Sequence, residues 1–223
     1  MKKLLTKLPL IFCFLIAIAF SIKSLREPDL WWQIRTGEWI LEHHQIPKQD
    51  VFSFTFEGAK WINVKWGFEA LVALITKVSG PECIFILQAF ISCLLVFFLI
   101  RIAKQLRISS RHLAGGLQIS VLFSILLSLI AIEYRIIGRP EMFSHLFTVI
   151  FLFFLLRNRK EESNKIFWLI PLQIVWANFH EAFGIGIVLT GIFTVGSWLE
   201  YFLSKRKIVF TEKQLPKKIS LLL

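Results

Sequence analysis

The chain has 223 residues, of which 56% are hydrophobic and only 18% are charged. Soluble domains carry roughly 45–50% apolar residues with glycine included, and a water-soluble fold of this length could not bury the excess. The composition therefore excludes an ordinary soluble domain and predicts an integral membrane protein, folded as an all-α transmembrane helix bundle in a single membrane domain over 1–223.

The net charge is +11, from 26 Lys and Arg against 15 Asp and Glu. A basic balance can indicate nucleic-acid binding. Here, however, the cations flank apolar runs, as topology signals do, and no basic stripe alternates with exposed aromatic residues. We therefore expect membrane lipids and no nucleic acid as partners. The cysteines Cys13, Cys83 and Cys93 lie in apolar runs without metal-ligand or disulfide spacing, so they do not indicate a redox compartment.

The first apolar run, 4–22, follows Lys2, Lys3 and Lys7. Ala17-Ile18-Ala19 is a weak cleavage site, which leaves a signal peptide open as one interpretation. The length of the run and the spans that follow favour an uncleaved first helix. In either case we expect residue 23 onward to leave the cytoplasm.

Six spans are predicted, because a membrane-crossing helix needs about 20 apolar residues. The fourth and fifth are short and need flanking polar residues to reach the interface. We place the spans at 4–22, 82–103, 112–133, 140–157, 165–180 and 182–203. A long outer loop at 23–81 and a cytoplasmic tail at 204–223 complete the arrangement.

The apolar residues of 61–79 follow a different pattern from those of the spans. They fall on one helical stripe, with Lys65 and Glu69 off it, which predicts an amphipathic helix lying in the membrane interface. A second interfacial helix is predicted over 29–44, where three tryptophans suit the headgroup level. Pro28 and Pro47 punctuate its two ends.

Charge counting supports the flat placement of 61–79. With that segment in the interface and a cytoplasmic N-terminus, 17 of the 26 Lys and Arg lie on the cytoplasmic side. If the segment crosses instead, fourteen of these move outside. Short loops with excess positive charge stay inside, so we predict six crossings and not seven.

Three polar segments then gather on the outer side. Asp29 is either a helix N-cap or a carboxylate base at the mouth of a lipid-facing site. The turn at 133–141 holds Arg135, Arg139 and Glu141, and it is either a solvated turn or a phosphate clamp, since a guanidinium offers paired hydrogen bonds to phosphate. Asn178 and His180 end the fifth span, where polar residues either anchor a helix or mark a functional site.

The order of these elements resembles the GT-C membrane glycosyltransferases. It resembles in particular the bacterial relatives of dolichyl-phosphate-mannose-protein mannosyltransferases and of lipid A aminoarabinose transferases. The resemblance covers about residues 5–203. The stretches that carry it are Glu27-Pro28-Asp29-Leu30-Trp31-Trp32, Arg35-Thr36-Gly37-Glu38-Trp39-Ile40, Lys65-Trp66-Gly67-Phe68, Arg139-Pro140-Glu141 and Trp176-Ala177-Asn178-Phe179-His180. The second interfacial helix of the family often begins with Lys-Pro-Pro-Leu, and only the lysine is matched here.

The resemblance implies a catalytic role for Asp29, with Glu141 as the second acid. It implies phosphate or substrate binding by Lys65 and by Arg139 or Arg135, to which our own interpretation adds Asn178 and His180. The implied donor is a polyprenyl-phosphate sugar, used at the outer face of the cytoplasmic membrane. No cofactor is implied with certainty, and a divalent metal stays open.

Members of that family are usually longer and have more spans, so we expect this chain to be a truncated part that is inactive alone. Two other functions stay open. One is a non-catalytic membrane protein that binds the lipid carrier or assembles a complex. The other is a transporter, which the sequence favours least, because transporters place ionisable residues in the middle of their spans.

Overall fold

A computed structural model of the chain describes residues 8–22, 27–106, 119–161 and 163–205. In this part, the only β-type pairing is an isolated bridge between Gln49 and Lys60, and the predicted all-α class is confirmed there. The helices are α1 (Leu8–Ser21), α2 (Pro28–His43), α3 (Trp66–Ser79), α4 (Ile84–Gln105), α5 (Ile119–Ile132), α6 (Glu141–Lys160), α7 (Leu169–Ala177) and α8 (Gly184–Lys205). Short 3-10 segments lie at Pro81–Cys83, Glu133–Arg135, Asn164–Trp168 and Glu181–Phe183.

Several sequence predictions fall outside the described residues. They concern the lysines at 2, 3 and 7, the residues 23–26 of the outer loop, the beginning of the span at 112–133, and nearly all of the tail at 204–223.

Within the described residues, three helical stretches are long and apolar enough to cross a membrane, judged by length and composition. They are Pro81–Gln105, Glu141–Arg159 and Glu181–Ser204, while Leu8–Ser21 is a shorter apolar helix. The last stretch also exposes a face of large apolar side chains, among them Ile187, Val188, Ile192 and Val195. An apolar surface of this kind needs a cover other than water, which fits a helix that contacts lipid.

The segment predicted as the fifth span, 165–180, is not one continuous α-helix. It divides into the 3-10 segment Asn164–Trp168 and α7, which has nine residues. At about 1.5 Å per residue α7 is only about 14 Å long, against a hydrocarbon core of about 30 Å. Pro171 explains the division, because its ring clashes with the carbonyl four residues earlier and prevents the α-helix from extending backward.

The bundle has two adjoining cores. In one, α1 packs against α4 and α5 around Cys13, Val96, Ile125 and Leu129. The other lies between α2, α3, α4, α6 and α7, with its centre at large buried side chains such as Phe68, Met142, Leu155 and Trp176. Because α6 also packs against α8, it connects most of the second half of the bundle.

Helices α2 and α3 form the closest pair of this arrangement. Gly37 of α2 lies against the backbone of α3, where a Cβ on that glycine would stand 2.0 Å from the Glu69 carbonyl oxygen. The sequence pattern placed Glu69 on the polar side of α3, and this was wrong, because its side chain is fully buried. The missing side chain at Gly37 lets the two backbones approach, which widens the buried face of α3 beyond its apolar stripe.

The start of α2 also differs from one sequence interpretation. Glu27 occupies the N-cap position, Pro28 begins the helix and Asp29 lies in the first turn. Asp29 is therefore not the N-cap, and no side chain caps this end. Its negative charge still suits the position, since the first turn of a helix carries unpaired N–H groups.

Candidate functional site

The outer-side candidates come from four places in the chain. Asp29 begins α2, Lys65 precedes α3, the turn at 133–141 joins α5 to α6, and 178–181 joins α7 to α8. The fold brings these places together, and ion pairs connect them over long separations in sequence. We refer to this group as the outer polar cluster, made of Glu27, Asp29, Lys65, Arg135, Arg139, Glu141, His180 and Glu181.

Arg139 is bound to both acids at the start of α2. Its Nη2 donates a hydrogen bond to Oε1 of Glu27 and lies 3.7 Å from Oδ2 of Asp29. The Glu27 side chain is mostly buried at 13% exposed, whereas that of Asp29 is 55% exposed. The hydrogen bond with Glu27 raises the pKa of Arg139, so the guanidinium stays charged. Glu27 therefore positions the arginine, and Asp29 remains accessible to solvent.

The turn that carries Arg139 is fixed against α2 by close packing. A Cβ on Gly138 would lie 2.9 Å from the Leu30 side chain, so this turn approaches α2 closely only because glycine occupies the position. Leu30 itself is fully buried. Apolar packing, and not the ion pairs alone, therefore sets the position of Arg139 relative to Asp29.

Arg135 and Glu141 form a second pair at the two ends of the same turn. Nη1 of Arg135 lies 2.8 and 3.1 Å from the two carboxylate oxygens of Glu141. The guanidinium also lies over the Tyr134 ring, 4.8 Å from its centroid. Both oxygens of Glu141 thus bind one cation. This acid therefore fixes the position of Arg135 and is not free to act as a base.

Lys65 has the loosest ion pair of the cluster. Its Nζ is 3.8 Å from Glu181 Oε2 and 5.9 Å from the centroid of the Trp32 ring. The Glu181 side chain is 58% exposed, so this pair is open to water. Exposed pairs of this kind contribute little stability, and a stronger anion could replace Glu181 at Lys65.

His180 is buried and belongs to a row of hydrogen-bonded side chains that runs into the core. Trp176 Nε1 donates to Ser144 Oγ over 2.7 Å, and Ser144 Oγ lies 2.7 Å from His180 Nδ1. Ser144 Oγ and His180 Nδ1 share one hydrogen bond, and the tautomer of the ring decides which of them donates. The other ring nitrogen, Nε2, is 3.9 Å from Glu181 Oε1. Burial lowers the pKa of His180, which favours the neutral ring.

Asn178 has a structural role in the described residues. Its Oδ1 accepts a hydrogen bond from Trp66 Nε1 over 2.6 Å, and its backbone oxygen accepts one from the Gly67 N–H over 2.9 Å. Its Nδ2 donates to the carbonyl of Ile174. Asn178 therefore connects the start of α3 to the end of α7, and its amide is occupied within the protein.

Sequence reasoning missed Glu69 as a chemically unusual residue. Its Oε2 accepts a hydrogen bond from Asn63, and Oε1 is buried without a hydrogen-bond partner in the described part of the chain. Burial raises the pKa of Glu69 to about 7, although the Asn63 bond and the Lys65 charge oppose the shift. The burial of Glu69 depends on Gly37 in another helix. The sequence gives no sign that these two residues are in contact.

Glu27, Glu181 and Ser144 were also not predicted as site residues. Glu27 stood in the quoted motif, but its place beside Pro28 gave no reason to prefer it as the partner of Arg139. Among the described residues, no group of three His, Cys, Asp or Glu side chains is close enough to hold a metal ion.

The outer polar cluster combines three cations, each paired with a carboxylate, and one accessible acid. Lys65, Arg135 and Arg139 supply three cations, and Asp29 supplies an accessible carboxylate beside one of them. Such an arrangement suits a reaction in which a phosphate leaves while a hydroxyl is deprotonated. No protein-family model matches the chain, and no curated protein or solved structure matches it either.

Proposed function

We propose that the chain is a membrane glycosyltransferase-like protein that moves a sugar from a polyprenyl-phosphate donor to an acceptor hydroxyl. The observation that carries this proposal is the contact of Arg139 with both Glu27 and Asp29. It puts an accessible carboxylate and a fixed cation side by side at the ends of apolar helices, where a lipid-linked donor can arrive from the bilayer.

In the proposed reaction, Asp29 accepts the proton of the acceptor hydroxyl. The acceptor oxygen forms a bond to the anomeric carbon, and the bond between that carbon and the phosphate oxygen breaks. The electron pair of this bond stays on the polyprenyl phosphate. Cations near the leaving group stabilise its growing charge.

The cations differ in how easily a donor phosphate reaches them. Arg135 is held by both oxygens of Glu141, whereas Lys65 contacts Glu181 at 3.8 Å only. Arg139 is held by Glu27 on one side and contacts Asp29 loosely on the other. We therefore assign the phosphate to Lys65 and Arg139, with Arg135 adding charge from a greater distance.

The membrane placement belongs to the same proposal. Six crossings, a cytoplasmic N-terminus and a flat position for α2 and α3 would put the outer polar cluster at the outer face of the cytoplasmic membrane. Single cysteines introduced at 50, 76 and 109 and labelled with an impermeant maleimide test this directly. We expect labelling from outside at 50 and 76 only, and labelling of 109 from outside would contradict the orientation.

The catalytic part is tested by Asp29→Asn in the full-length protein. Membranes are supplied with polyprenyl-phosphate donors that carry radiolabelled hexoses or pentoses, and transfer to endogenous acceptors is measured. We expect transfer to be lost while membrane insertion is unchanged, because the amide cannot take the hydroxyl proton. Glu42→Gln is the matched control, since Glu42 is an exposed acid on the same helix that lies outside the cluster. Full transfer by Asp29→Asn would remove Asp29 from the mechanism and favour the non-catalytic, carrier-binding alternative.

A further inference from the structure

A large cavity lies away from the acids and arginines of the cluster. It has a volume of about 650 Å³ and lies between the start of α2 and the loop that leads to α3. Cavities of this size are typical of small-molecule sites. Its lining residues are Trp32, Arg35, Asp50, Phe52, Ser53, Phe56, Ala59, Lys60 and Trp61. We call it the aromatic pocket.

The walls of the aromatic pocket include the rings of Trp32, Phe52, Phe56 and Trp61. The Trp61 ring lies 6.4 Å from that of Trp32 and 6.4 Å from that of Phe52, measured between centroids. The rings are tilted or edge-on to one another, so neither pair is stacked face to face. Aromatic faces carry negative charge density and attract the positive edges of C–H groups.

The loop that forms one wall is held in shape by its own hydrogen bonds. The Asp50 N–H donates to the Ala59 carbonyl over 2.8 Å, and the Trp61 N–H donates to the Lys48 carbonyl over 2.9 Å. Asp50 Oδ1 also accepts from the N–H groups of Phe52 and Ser53, both at 2.9 Å. The pocket is therefore formed before any ligand binds, which reduces the entropy that binding must overcome.

The polar groups at the pocket are balanced in charge. Arg35 is paired at 2.9 Å with Glu38. Lys60 and Asp50 both line the pocket. The pKa of Asp50 is lowered, chiefly by its hydrogen bonds with Ser53. With Glu38 counted, two cations stand against two acids, so a phosphate or carboxylate ligand would find little excess positive charge here. The pocket instead offers donors and acceptors around apolar ring faces.

From this chemistry we infer that the aromatic pocket binds a neutral sugar ring. A pyranose has an apolar face of C–H groups, which fits the faces of Trp61 and Trp32, and hydroxyls at its edge, which fit Arg35, Asp50 and Lys60. Trp32 also lies beside Lys65 and one helical turn from Asp29. If the proposed function holds, the bound sugar therefore belongs to the acceptor, and this second step rests on that function.

Binding is measured with the purified full chain in phosphatidylcholine nanodiscs, because maltoside detergents carry a sugar headgroup that would compete. The probes are the methyl glycosides of glucose, mannose, galactose and N-acetylglucosamine, with glucose 6-phosphate and inorganic phosphate as charged comparisons. Saturation-transfer NMR reports contact, and titration gives the affinity. We expect at least one neutral glycoside to bind and to be favoured over both phosphate probes.

The substitutions distinguish the contribution of the pocket to glycoside binding from that of the rest of the loop. Trp61→Ala is expected to weaken binding by about tenfold or more, the change that corresponds to losing one good aromatic contact. Trp61→Phe keeps a ring face and should restore most of the affinity, which shows that a loss in Trp61→Ala is not due to misfolding. Phe54→Ala is the matched control, because Phe54 is in the same loop, fully exposed and outside the lining.

Two results would overturn the inference: no neutral glycoside binds, or a bound glycoside is unaffected by Trp61→Ala. A preference for the phosphate probes would also contradict the inference that the ligand is a neutral sugar. Glycoside binding is measured without any donor and transfer is measured with one, so the pocket and the proposed reaction fail separately. Glycoside binding that depends on Trp61, together with full transfer by Asp29→Asn, would retain the pocket and reject the mechanism. Loss of binding in Trp61→Ala with an unchanged acceptor KM would reject only the assignment to the acceptor.

Discussion

Gly37 of α2 lies so close to Glu69 of α3 that any side chain at 37 would meet the Glu69 carbonyl oxygen at 2.0 Å. This contact joins the two helices that carry Asp29 and Lys65. It also covers the side of α3 on which the Glu69 carboxyl is buried. Backbone packing in one helix pair thus affects both the geometry of the outer polar cluster and the protonation of an acid near it.

Gly37→Ala is expected to destabilise the protein by about 1–3 kcal/mol or more, because the new methyl group collides with backbone that cannot rotate away. The measurement is unfolding in detergent, by heat or by a denaturing surfactant. Gly191→Ala in α8 is the control, since a Cβ there meets nothing within 4 Å. That change should be neutral or stabilising by about 0.5–1 kcal/mol, as expected for alanine in a helix. Equal effects of the two substitutions would contradict the close packing of α2 on α3.

Glu69 should make the stability depend on pH. Its pKa is raised from 4.5 to about 7 in the folded protein, so between these values the folded state holds a proton that the unfolded state has lost. The free energy of unfolding therefore falls as the pH rises from about 4.5 to about 7, by at most about 3 kcal/mol. Below that range the contribution is fully present, and above it the contribution is gone.

The comparison that isolates Glu69 is Glu69→Gln, whose amide cannot ionise. Relative to Glu69→Gln, the free energy of unfolding of the wild type should fall as the pH rises across that range. Other titrating groups cancel in the difference. Parallel pH curves for the two proteins would show that Glu69 titrates normally.

The pair formed by Arg139 and Glu27 is expected to be energetically coupled. Removing Arg139 leaves a mostly buried carboxylate without its cation, and hydrogen bonds to charged groups are worth about 1.5–3 kcal/mol. Glu27→Gln, Arg139→Gln and the double variant form a cycle whose coupling energy is measured by unfolding. The same cycle on Arg35 and Glu38, which are exposed, serves as the comparison and should show little coupling. A coupling no larger than that of the exposed pair would show that Glu27 does not hold Arg139.

Local patterns in the sequence were enough to locate α2. Pro28 marks its start, and its alternating apolar and polar residues predicted 29–44, against the observed Pro28–His43. The segment 61–79 was located as well, but α3 begins only at Trp66. Asn63 explains the later start, because its side chain accepts a hydrogen bond from the Lys65 N–H and favours a turn there.

Contacts between distant parts of the chain could not be predicted in the same way. Counting spans placed Asp29 and the turn at 133–141 on one side, but it could not decide which acid binds Arg139. That depends on the depth to which the turn packs under α2, which Gly138 and Leu30 set. The burial of Glu69 likewise depends on Gly37, and the division of the fifth predicted span depends on the backbone geometry at Pro171.

The separation of Glu27 and Arg139 by 112 positions has a consequence for biogenesis. The ribosome makes the acids of α2 long before it makes their arginine. Until α5 and the following turn have been made, these acids lack the arginine that holds them in the finished fold. The site is therefore completed late, by the order of translation.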